Sequence, residues 1–96
     1  MKRQGDLLII RVKEIPVAAV KLTHRVLAEG ETTGHMHELD NGELYEKDDV
    51  LYFRISDDRP AILKHPEHGP IAFKPGQYKV IRQREYEPNG WRNVGD

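Results

Sequence analysis

Short runs rich in Val, Ile, Leu, Tyr and Phe recur along the chain, each closed by Gly, Pro, Asp or Asn. Such spacing marks the antiparallel strands of a sandwich or barrel. Between Asp6 and Lys13, Leu8, Ile10 and Val12 fall on one face and Leu7, Ile9 and Arg11 on the other, which predicts a central strand with an amphipathic end. Glu14 to Thr23 contains Pro16 and no capping residue, and it predicts a loop with a single helical turn. Further strands are expected over Arg25 to Glu31, His35 to Leu39 and Glu43 to Glu46. Asp40-Asn41-Gly42 is expected to join the last two as a type I′ hairpin, because Asn-Gly readily takes positive φ. Lys47-Asp48-Asp49 predicts another turn, and Val50 to Ser56 a strand with Leu51, Phe53 and Ile55 on one face. Ala61 to His65 and Pro70 to Lys74 flank Pro66-Glu67-His68-Gly69 as a second hairpin, and Pro75-Gly76 leads into the longest strand, Gln77 to Tyr86.

The expected fold is therefore all-β, a small antiparallel barrel or sandwich of about eight short strands. At 96 residues there is room for one domain, expected over residues 1–87, with 88–96 as a partly ordered C-terminal tail. Fifteen Lys and Arg against sixteen Asp and Glu leave a formal charge of −1, which argues against nonspecific binding to duplex nucleic acid. The longest apolar run is Leu7-Leu8-Ile9-Ile10, far below the roughly 20 residues that span a bilayer. Met1-Lys2-Arg3-Gln4-Gly5-Asp6 has a basic start but no apolar stretch or cleavage site of a secretory signal. The chain has no cysteine, which excludes disulfides, thiolate metal sites and cysteine nucleophiles. A cytoplasmic protein without membrane association is the expectation.

The histidines change this bland picture. There are five, and four form two tight groups. Positions two apart on a strand project from the same face, so His35 and His37 are expected to stand side by side with Leu39. Neutral imidazoles so placed converge on a divalent cation. His65 and His68 flank the Pro66-Glu67 turn, and if the two hairpins are neighbours, three or four nitrogens meet there. Glu38, Glu43 or Glu67 would supply an oxygen, a donor set that suits zinc, iron, nickel or manganese. The competing reading is ordinary: His-x-His as surface decoration, and a histidine beside a turn bonding a backbone carbonyl. His24 stands alone and is expected to be structural or solvated.

Gly34-His35-Met36-His37, followed later by Pro75-Gly76-Gln77-Tyr78, resembles the cupin pattern of a glycine before His-x-His and a later Pro-x-Gly segment. The downstream acid is displaced, at Glu38 or Glu43, and no histidine follows Pro75-Gly76. The resemblance implies a small β-barrel and, with it, metal-dependent hydrolase, isomerase or oxygenase chemistry. Over nearly the whole chain, Val26-Leu27-Ala28-Glu29-Gly30-Glu31, His68-Gly69-Pro70-Ile71 and Arg82-Gln83-Arg84-Glu85-Tyr86 resemble segments of short uncharacterised β-rich proteins of bacterial and phage genomes. That likeness implies a phage or mobile-element origin and no reaction.

On the last strand, Arg82, Arg84 and Tyr86 share a face at about 7 Å spacing, able to grip a phosphate, a carboxylate or single-stranded nucleic acid. The plain alternative is a solvated strand end paired with nearby carboxylates. Ser56 lacks a nucleophile elbow, Asp57-Asp58 before Arg-Pro is an ordinary turn, and no glycine spacing cradles phosphate. The leading expectation is a small binding or accessory protein with a histidine-lined site holding a divalent metal. The alternatives are a cupin-like enzyme using the same residues, and an interaction module that forms homo-oligomers or takes a protein partner through its edge strands.

Overall fold

The computed structural model describes residues 1–29 and 35–82. Its ten strands are β1 (Lys2–Gln4), β2 (Leu7–Val12), β3 (Val20–Lys21), β4 (Val26–Glu29), β5 (Met36–Leu39), β6 (Glu43–Lys47), β7 (Val50–Ile55), β8 (Ala61–Lys64), β9 (Ile71–Phe73) and β10 (Gly76–Arg82). They form two antiparallel sheets, one in the order β1-β2-β10-β7-β6-β3 and one in the order β4-β5-β8-β9. The fold is all-β as expected, and the architecture is two sheets rather than a closed barrel.

The core lies between the sheets and follows the alternation of the strands. Leu7 and Ile9 of β2, Phe53 and Ile55 of β7, and Tyr78 and Val80 of β10 meet Leu27 of β4, Leu39 of β5, Leu63 of β8 and Phe73 of β9. At its centre three rings touch. Phe53 stacks on Tyr78 with centroids 4.9 Å apart, and Phe73 from the other sheet meets them edge-on at 5.3 and 5.1 Å. Such offset and T-shaped pairs suit the quadrupoles of the rings and clamp the sheets together.

Two local expectations are corrected. Asp40-Asn41-Gly42 does not close a hairpin: β5 pairs with β4 and β8, and β6 with β3 and β7, so this segment carries the chain from one sheet to the other. Gly42 adopts φ +105°, and a Cβ there would lie 2.6 Å from Ile55 Cδ1 and 2.9 Å from the Arg54 carbonyl oxygen. The glycine serves a close crossing. The type I′ signature sits instead at Asp48 (φ 53°) and Asp49 (φ 65°), which join β6 to β7 with Lys47 opposite Val50. Aspartate tolerates this left-handed region better than most side chains. No helical turn forms over 14–23: Ala19 N–H donates to the Pro16 carbonyl in a turn, and Val20–Lys21 pairs with β6. Sequence reading also missed β1, whose Gln4 lies opposite Leu7 across the two-residue turn Gly5-Asp6.

The β8–β9 hairpin is as expected, with Ala61 opposite Phe73 and Leu63 opposite Ile71. Among the described residues, no helix is long and apolar enough to cross a membrane. Arg84, Tyr86 and the tail 88–96 lie outside the described residues.

Candidate functional site

One end of the sandwich is polar inside. In β5 the inward positions are His37 and Leu39, so His37 continues the core face and is buried. Opposite, in the six-stranded sheet, Gln4 is also buried on the inward face. A glutamine and an imidazole enclosed among apolar groups require partners, and here they supply each other. Gln4 Nε2 donates to the carbonyls of Leu63 (3.0 Å) and Gly69 (2.9 Å). That fixes its amide, and Oε1 faces His37 Nδ1 at 2.8 Å. Because Oε1 only accepts, Nδ1 carries the proton, and the Nε2 lone pair of His37 is left available.

Around His37 the structure gathers the other three histidines of the expected group. The His37 and His65 ring centroids are 4.3 Å apart, His65 and His68 4.5 Å, His37 and His68 6.1 Å, and His35 and His65 5.8 Å. Neighbouring hairpin and strand place them: His35 and His37 belong to the entry of β5, which pairs with β8, and His65 and His68 to the turn that follows β8. Gly5 lets the β1–β2 turn come close, with φ +60° and a notional Cβ 3.0 Å from His68 Nε2 and 3.2 Å from His37 Cε1.

The four rings are not equivalent. His65 Nδ1 accepts the backbone N–H groups of Glu67 (3.0 Å) and His68 (3.3 Å), so it organises the turn, and the proton of the neutral ring resides on Nε2. The ordinary alternative is met in part: His65 bonds the backbone of its turn, but by accepting N–H groups rather than by donating to a carbonyl. His35 Nδ1 lies 3.6 Å from a Glu67 carboxylate oxygen. His24 is remote in role: it is exposed, and its Nδ1 accepts the Val26 N–H.

Electrostatics keep the centre neutral. Burial above all, then the charge of His65, takes the His37 pKa down from 6.5 to about 4, against an upward pull from Asp6. Desolvation and the neighbouring His68 also lower that of His65. At neutral pH His37 is a lone-pair donor rather than a cation. Among the described residues, no group of three or more His, Asp or Glu side chains is already arranged to hold a metal ion. The turn occupies His65 Nδ1, and the rings of His37 and His68 lie nearly parallel, at 14°. Capture of a cation therefore requires the exposed His68 and half-exposed His35 rings to swing toward His37.

Arg82 shares this end. It lies opposite Leu7 on the inward face of β10, with one terminal nitrogen 3.9 Å from an Asp6 carboxylate oxygen. Sequence reasoning proposed Arg82 and the histidines as separate features, and it did not assign Gln4, since Lys-Arg-Gln carries no apolar alternation to announce a strand. Asp57 and Asp58 remain turn residues, with Ser56 Oγ donating to Asp58 Oδ1 at 2.5 Å.

No curated protein and no solved structure matches the chain. A family model does match, over residues 3–83, and this interval contains every described member of the site. The chain belongs to the family described as Domain of unknown function (DUF8820).

Proposed function

We propose that this chain is a small binding protein whose histidine end takes one divalent transition-metal cation. The observation that carries the reading is the Gln4–His37 hydrogen bond. Metal-binding histidines characteristically donate their second ring nitrogen to a fixed oxygen, which sets the tautomer and strengthens the ligand nitrogen, and Gln4 does this for a buried ring. His37 Nε2 is the first ligand, and His35 and His68 supply further nitrogens. Imidazoles sharing a tetrahedral ion through single nitrogens have centroids roughly 5 Å apart, and the His37–His68 separation is 6.1 Å before any closure. A depressed pKa also removes proton competition at neutral pH.

The same depression favours binding over proton abstraction. A general base works best with a pKa near the operating pH, and His37 at about 4 is a weak one. The likeness of Gly34-His35-Met36-His37 to the cupin pattern supports imidazole ligation without requiring cupin catalysis. The cysteine-free composition is consistent with a cytoplasmic setting.

Untagged protein titrated with Zn²⁺ or Ni²⁺ by calorimetry tests this. One equivalent should bind, with a raised thermal midpoint, and His37→Ala should abolish both. Absence of uptake by the folded wild type overturns the reading.

A further inference from the structure

Arg82 is placed where a strand of this sandwich would normally carry an apolar residue. Along β10 the inward positions are Tyr78 and Val80, both buried, and Arg82 is next in that series. Its partner across the ladder is Leu7, whose other neighbour is Gln4, so Gln4, Leu7 and Arg82 line up on one inner face across three strands. Gln4 in turn holds His37. The half-buried guanidinium thus starts from the inner face at the histidine end, close enough for its charge to act on His37.

Its hydrogen bonding is incomplete. Arg82 Nε is buried and has no acceptor among the described residues. The only ion pair described for Arg82 is the long one to Asp6, at 3.9 Å through a terminal nitrogen. A buried donor atom without an acceptor is costly, and a bound ion or ligand oxygen is one way of satisfying it.

We propose that Arg82 forms an oxyanion site beside the histidine cluster: a phosphate or carboxylate accepts from Arg82 Nε–H. The inference rests on the histidine end being a ligand site, but it does not require a metal to be bound. It assigns the ligand class as a small molecule, or the end of a larger one, that bears an oxyanion.

The test follows the Arg82 Nε–H resonance of metal-free ¹⁵N-labelled protein during titration with inorganic phosphate and, separately, acetate. A saturable shift is expected, with the tighter arm naming phosphate or carboxylate as the recognised chemistry. Arg82→Gln should weaken binding about tenfold or more, and Arg82→Lys, which keeps the charge but loses the Nε–H, should rescue only part of it. Zinc uptake by both variants should persist. If neither anion moves the Arg82 resonance, or if Arg82→Gln binds as tightly as wild type, the proposal fails. Should Arg82→Gln not fold, the wild-type titration alone decides. A protein that takes no zinc yet shows the saturable Arg82 shift would overturn the metal reading and leave this one standing.

Discussion

The middle of the sandwich and its histidine end are built from the same inward-facing strand positions, yet they obey different rules. In the middle, Phe53, Phe73 and Tyr78 fill the space between the sheets with rings in favourable contact, and the one polar atom among them, the Tyr78 hydroxyl, donates to the Lys74 carbonyl at 2.7 Å. At the end, Gln4, His37 and Arg82 occupy equivalent inward positions and rely on hydrogen bonds and charge placement. Apolar residues there would have given a simpler and more stable core. The contrast teaches that apolar packing is concentrated in the middle, while the end buries polar groups that depend on specific partners.

The sharpest test of this division is Phe53→Ala. It removes a fully buried ring from the central trio and should cost about 3–5 kcal/mol in chemical denaturation, with metal affinity of the remaining folded protein little changed. Acid should attack the other region. His37 titrates at about 4 when folded against 6.5 when exposed, so between those values the unfolded chain binds more protons and stability falls as pH is lowered. The loss should be on the order of 3 kcal/mol by pH 4, with His65 shifting in the same direction. Denaturation midpoints at pH 7 and pH 4 measure it. His37→Leu should flatten that dependence.

Smaller effects separate support from ligation. Gln4→Ala frees two carbonyls and the His37 Nδ1 proton, and should cost about 1–3 kcal/mol while weakening metal binding about tenfold to a hundredfold. A Gln4→Ala protein that binds zinc as tightly as wild type would break the link between the buried amide and the site. Smallest of all, Asn41→Ala removes two long contacts to the Arg59 and Pro60 carbonyls, at 3.4 and 3.5 Å. It should cost under about 1 kcal/mol, with no change in zinc titration.

Strand faces were legible because alternation is a local signal: Leu51, Phe53 and Ile55 share one side of β7, and the β8–β9 hairpin follows from its turn residues. The meeting of the β5 histidines with the pair beside the β8–β9 turn was legible from the strand and hairpin pattern, and it is His65 that touches both His35 and His37. Sheet membership was not. Asn41-Gly42 has the chemistry of a tight hairpin, but its glycine is required by Ile55 and Arg54, residues remote in sequence. Asp48-Asp49 took the left-handed turn instead, and nothing local ranks it above Asn-Gly. Gln4 was invisible for a related reason. Its role depends on Leu63, Gly69 and His37, and a glutamine in a basic triplet has no periodicity to interpret.

The polar end draws on positions 4, 35–37, 65–68 and 82, so no continuous stretch of the chain contains it. A fragment from either half would carry some of its nitrogens but never the enclosure that sets their tautomers. Assembly of the sandwich and readiness to capture a guest are consequently one event. A bound cation or anion should act as a rivet across both termini of the β domain, and its release should loosen first the short N-terminal strand that Gln4 anchors.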